Sequence, residues 1–170
     1  MSHSSTLRRL PWRLLGWGTI AVLLSLPAIF RFPWTASDFV IMGILLGSVG
    51  LGIEFLVRQS GSMFVRLGAI VAVLTAFLTI WVNLAVGMIG SEDNPYNLLF
   101  IGLLALVMIG GIWVRLRPEG MVRVTLAAAA LQAALAVGGV GQDQRGAIFS
   151  GVFALFWLFS AALFRAGASR

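Results

Sequence analysis

The side chains in this sequence that could do chemistry fall into two groups. The first lies inside long apolar runs: Glu54 with Arg58 four residues on, and the uncharged polar residues Thr79, Asn83 and Gln132. Ionisable residues inside such runs are rare, and a lone carboxylate there is a candidate proton or cation carrier. Glu54 and Arg58 also have the spacing at which an acid and a following base pair on one helix face. The same two residues therefore read as a structural ion pair near a segment end. Asn83 and Gln132 each carry an amide that needs partners in an apolar setting, and bonding across helices can supply them. Thr79 shares a helix face with Asn83. These three residues read either as glue between helices or as contacts for a small solute. The second group is Glu92, Asp93 and Asn94, in the turn-forming run from Ser91 to Pro95. Their oxygens suit a hard cation, but this run alone supplies too few for calcium. Asp38 and Asp143 would extend the set if their loops converge on it. Two adjacent acids could also serve as an acid/base pair. The competing expectation is an Asx-type turn, with Asp93 or Asn94 capping the next helix and Pro95 in its first turn.

Composition narrows the chemistry. There is no cysteine, and the single histidine, His3, stands in a polar N-terminal tail. Disulfides, thiolate metal sites and cysteine nucleophiles are excluded within the chain, and the usual imidazole ligand is missing from the apolar runs. No phosphate loop, HExxH helix or nucleophile motif occurs. The sequence therefore assigns no catalytic, cofactor-binding or metal-binding residue. The net charge of +6 comes from arginine alone. The arginines punctuate the ends of apolar segments rather than cluster on a soluble module, so they signal topology and not nucleic-acid binding.

The elements that carry these residues follow from hydropathy. Apolar residues make up 59% of the 170-residue chain and charged residues 11%, against roughly 25% charged in soluble domains. The mean hydropathy is +0.98. A membrane span needs about 20 apolar residues, and six candidates emerge: 14–30, 38–57, 67–90, 97–114, 122–140 and 147–164. The expected fold is all-α, a polytopic six-helix transmembrane bundle forming one membrane domain over residues 1–170. Arg8, Arg9 and Arg13 ahead of the first apolar run resemble a signal peptide. Leucine stands where a cleavage site wants a small residue, at Leu26-Pro27-Ala28, so an uncleaved first helix is expected.

Orientation follows from the same arginines. With both termini in the cytoplasm, Arg8, Arg9, Arg13, Arg58, Arg66, Arg115, Arg117, Arg123, Arg165 and Arg170 fall inside, and only Arg31 and Arg145 fall outside. A weak repeat relates the stretch from Gly52 to Arg58 to that from Gly111 to Arg117, as three like-oriented hairpins would. Small and polar residues mark inward faces: Gly43, Gly47, Gly50 and Glu54; Gly68, Ala72, Thr75, Thr79 and Asn83; Thr125, Ala129, Gln132, Ala136 and Gly139. These three faces are expected to pack on each other, with large apolar residues opposite them facing lipid. Trp12, Trp17, Trp34 and Tyr96 suit the interfacial belt, and Trp81, Trp113 and Trp157 suit lipid contact or the core.

The run from Trp81 to Pro95, WVNLAVGMIGSEDNP, resembles a segment of small bacterial inner-membrane proteins. The resemblance covers about a tenth of the chain and implies a bacterial integral membrane protein, with no activity attached. The first expectation for function is a non-enzymatic membrane component in contact with lipid, bound to a membrane-protein partner or to its own copies. The alternative is a small-solute or proton-coupled permease using Glu54, Asn83 and Gln132. A third is a membrane enzyme at the Glu92–Asp93 loop.

Overall fold

A computed structural model describes residues 12–59 and 62–169. Among these residues there are six α-helices and no strand: α1 (Trp12–Ile29), α2 (Ala36–Gln59), α3 (Met63–Ala85), α4 (Leu98–Trp113), α5 (Pro118–Gly139) and α6 (Gln144–Ala168). A single 3-10 turn, Pro95–Asn97, leads into α4. The helices α2, α3, α5 and α6, and α4 together with the 3-10 turn that leads into it, are long and apolar enough to cross a membrane. With 18 residues, α1 spans about 27 Å, just under the roughly 30 Å of a hydrocarbon core. The chain is a multi-pass helical membrane protein. Arg8, Arg9, Arg170 and His3 lie outside the described residues.

The chain groups into two compact units, divided after Leu51. In the first, α1 lies on the glycine stripe of α2. A methyl group added at Gly50 would stand 2.8 Å from Ile20 and 3.4 Å from Trp17, and one at Gly43 would touch Leu24 at 3.8 Å. Glycine lets the two backbones approach, and packing of this kind holds helices together where lipid removes the hydrophobic drive. Thr35 and Asp38 start α2 as a capping box. The Thr35 N–H and hydroxyl donate to the Asp38 carboxylate at 2.7 and 2.8 Å.

The second unit holds the end of α2 and the helices α3 to α6. Within it α6 packs between α3 and α5, and α5 also packs against α4. The sequence pattern expected the faces of α2, α3 and α5 to meet one another. Within the second unit α6 mediates between α3 and α5 instead, and within the first unit the α2 stripe receives α1. On α3, Gly68 faces Phe164 and Leu163 of α6, each within 3.3 Å of an added methyl, and its carbonyl accepts from Ser160 Oγ at 2.8 Å. The inward face of α6 is Ala147, Ser150, Ala154, Trp157 and Ala161, all buried. Their steps of three and four residues give one stripe.

Two further expectations are corrected. The third helix, expected to run to Gly90, ends at Ala85. Gly87 and Gly90 adopt φ of +77° and +73°, a left-handed backbone that disfavours other residues. Between them Met88 and Ile89 turn back into the bundle and are fully buried. The repeat does not survive in three dimensions. Residues 52–58 are helical, whereas 111–117 straddles the end of α4. There Arg115 and Leu116 take φ of +52° and +56°, and the Leu116 N–H closes on the Gly111 carbonyl at 2.9 Å.

Candidate functional site

The interior of the second unit contains buried polar side chains, and none of them is charged among the described residues: Thr75, Thr79, Asn97, Thr125, Gln132, Ser150 and Ser160. Two of them, Thr75 and Thr79, form a ladder with Asn83 along α3. Thr75 Oγ donates to the Val71 carbonyl at 2.7 Å, Thr79 Oγ to the Thr75 carbonyl at 2.8 Å, and Asn83 Nδ2 to the Thr79 carbonyl at 2.7 Å. Each bond returns to the carbonyl one turn back, which satisfies the two hydroxyls and the Asn83 NH2 locally without tying α3 to a neighbour; the Asn83 Oδ1 is buried with no protein partner. Gln132 does cross between helices, its Nε2 donating to Ser150 Oγ of α6 at 2.9 Å. The Ser160–Gly68 bond sets the register of α3 on α6. That register brings Thr79 to the level of Ser150, and so to the level of Gln132.

Glu54 stands apart from this set. Its carboxylate, on the last turns of α2, pairs with Arg58 Nη2 at 2.5 Å. A methyl group added at Gly52 would lie 3.9 Å from Val73, which places Glu54 near the level of Val71. Asn83 is twelve residues further along α3, about 18 Å away along the axis. The structure thus joins Thr79 to Asn83 and levels Thr79 with Gln132. It keeps the Glu54–Arg58 pair in a different layer.

The α3–α4 loop is the most elaborately bonded segment. Asn97 Oδ1 accepts from the Met88 and Ile89 N–H groups at 3.1 and 2.9 Å, and its Nδ2 donates to the Ile89 and Ser91 carbonyls at 3.2 and 2.8 Å. Asn94 Oδ1 caps the 3-10 turn by accepting from the Tyr96 N–H at 3.0 Å, with Pro95 at its first position. Its Nδ2 donates to the Ile89 carbonyl and to Gln142 Oε1, both at 3.0 Å. Tyr96 donates its hydroxyl to the Leu135 carbonyl of α5 at 2.8 Å. The approach needs a glycine, because a methyl group at Gly138 would stand 2.5 Å from that hydroxyl. Glu92 and Asp93 remain exposed on the loop's outside.

Asp143 completes the clamp from the far side. It caps α6 through the Arg145 N–H at 3.0 Å and accepts the Gly90 N–H at 3.1 Å. Backbone donation from Gly146 and then Gly90 holds its carboxyl below the ordinary 3.8, because both bonds favour the charged form. Among the described residues no three His, Cys, Asp or Glu side chains gather where they could hold a metal ion.

Asn97 is the loop residue the sequence reading missed. The signal was there: an amide two residues past Pro95, facing two glycines that break α3. Tryptophans divide as burial requires. Trp157 is fully buried, whereas Trp81 is exposed and Trp113 is 85% exposed on α4. The large outward faces expected from sequence hold on α2 and α3, but not on α5. There the exposed residues between Arg123 and Val137 are Leu126, Ala127, Ala130, Ala133 and Ala134. No family model, no curated protein and no solved structure matches this chain.

Proposed function

We propose that this chain is a non-enzymatic component of a bacterial cytoplasmic membrane whose role is to bind another transmembrane helix along α5. The carrying observation is the outward face of that helix. Ala127, Ala130 and Ala134 are exposed at steps of three and four residues, and Ala133 flanks them. Elsewhere the outward faces are bulky: Ile101, Met108, Ile109 and Trp113 on α4; Ile148, Phe149, Leu155 and Phe159 on α6. Lipid tails reward bulk and small residues equally, but a second helix can approach closely only over small ones. The charge-free interior supports the same reading, since it offers no ionisable carrier between Asn83 and Gln132. The permease reading draws less support because Glu54 is paired and lies in another layer. An enzyme at Glu92 and Asp93 would have to work with exposed acids beside a loop whose amides are already committed to its own backbone.

The proposed orientation has both termini in the cytoplasm. In the second unit Arg66, Arg115, Arg117, Arg123 and Arg165 fall at one end of their helices and Arg145 at the other, the asymmetry expected of cytoplasmic ends.

Cysteine crosslinking tests the proposal on a clean background, since the chain has no cysteine of its own. In native membranes A130C and A134C should crosslink to another helix, and M108C on α4 should not. A130L with A134L should abolish co-purification of the partner while leaving the chain folded. Crosslinking to a tagged second copy identifies self-association, and crosslinking to a different chain identifies a heteromeric partner. Retention of all partners in the double-leucine variant would defeat the proposal.

A further inference from the structure

Gln132 on α5 and Trp157 on α6 are both fully buried, and each keeps one polar atom with no protein partner: the amide Oε1 and the indole Nε1. One is an acceptor and the other a donor. The other end of the amide is committed, because Nε2 faces both the hydroxyl of Ser150, at 2.9 Å, and its carbonyl, at 3.4 Å. A carbonyl only accepts, so the NH2 group must face α6 there and the oxygen must point away.

Backbone direction brings the two free atoms toward each other. Side chains on a helix lean toward its N-terminus. Gln132 therefore leans along α5 toward Ala128 and Ala129, and Trp157 leans along α6 toward Ala154. The short connection between Gly139 and Gln144 makes the helices antiparallel, so these two directions converge. Ser150, which anchors the amide, lies two turns from Trp157, about 10 Å along α6. The layer between them is lined by the small buried side chains of Ala128, Ala129 and Ala154. Thr125 lies two turns before Gln132 on the same face of α5, and its hydroxyl proton goes to the Met121 carbonyl at 2.8 Å. Its oxygen lone pairs remain available to accept.

We infer that Gln132 Oε1 and Trp157 Nε1 together hold one small neutral hydrogen-bonding molecule, water, between α5 and α6. It donates to the amide oxygen and accepts from the indole, and Thr125 Oγ can take its second proton. Buried water makes about three such bonds to groups the protein leaves unpaired. A charged guest is disfavoured, because among the described residues no buried side chain of this unit carries a compensating charge.

The test uses the full chain, 15N-labelled, in lipid nanodiscs, with magnetisation transfer from water to the indole protons as the readout. The Trp157 signal is identified by its loss in W157F. It should receive transfer from water although the residue is fully buried, and Q132M should abolish that transfer. N83L alters a separate amide on α3 and should leave it intact. A dry Trp157 indole in the unmodified protein overturns the inference, as does transfer that persists in Q132M. Should Q132M not assemble, S150A must diminish the transfer by releasing the anchor of the amide; an unchanged signal there is equally fatal.

Discussion

Asn97→Ala is the sharpest probe of how the α3–α4 loop is held. The substitution removes one acceptor shared by two backbone N–H groups and one donor shared by two carbonyls. Those N–H groups belong to Met88 and Ile89, at 1% and 0% exposure, so water cannot easily replace the lost oxygen. The Ile89 carbonyl keeps its bond from Asn94 Nδ2, and of the acceptors only that of Ser91 loses its side-chain donor. Each buried group left unpaired costs about 1–3 kcal/mol. Two such donors give about 2–6 kcal/mol, and partial water entry beneath the loop should bring the observed loss to about 3 kcal/mol. Reversible unfolding of the full chain in mixed micelles, with denaturing detergent as the variable, reads this directly. Asn97→Asp should fall between the two, because a carboxylate still accepts from both N–H groups while losing both donations. Asp93→Ala, on the exposed side of the same loop, should stay within about 0.5 kcal/mol of the parent. A loss below about 1 kcal/mol for Asn97→Ala would refute the claim that this amide holds the loop closed.

Two other perturbations have defined outcomes. Gly87→Ala puts a methyl group 2.4 Å from the Ser91 backbone at a φ of +77°, and should cost more than about 2 kcal/mol in the same assay. Gly141→Ala, with nothing within 4 Å, is its control. Asp143 should give a pH signature. Its folded-state carboxyl titrates below the ordinary 3.8, so its stabilising effect is complete above the unfolded value and is lost as pH falls through the depressed one. Melting temperatures of the parent and of Asp143→Asn should therefore differ at neutral pH and converge as the pH falls below the ordinary carboxylate range.

Much of the fold was legible because membrane helices announce themselves through length and hydropathy. The inward stripes of α3 and α5 were legible for a related reason: small and polar residues at helical spacing have few other uses in an apolar run. All five residues of the α5 stripe are buried, and on α3 only Asn83 is partly open. The central role of α6 was harder to see. Its inward stripe mixes alanine and serine with Trp157, and the outward Phe149, Phe156 and Phe159 mask the contrast between faces. The end of α3 was misjudged because Met88 and Ile89 are as apolar as the helix before them, and hydropathy cannot tell a helical turn from a loop that folds inward. Backbone conformation decided it, through two glycines. The stretch with Glu92, Asp93 and Asn94 drew attention for its charge, yet the bonds are made by the neutral Asn94 and Asn97. Carboxylates suggest chemistry more readily than amides do, but an amide both donates and accepts and can stitch a loop from the inside.

Tyr96 limits what can lie along α5. Its phenol reaches over Gly138 to the Leu135 carbonyl, so the flat alanine strip is stopped at one end by an aromatic ring belonging to the same chain. A neighbouring helix following that strip meets the ring about one turn beyond Ala134 and must tilt away. On the proposed reading the approach of a partner helix would therefore be oblique, deepest near Ala130, and would diverge toward the side of the membrane where the loop sits.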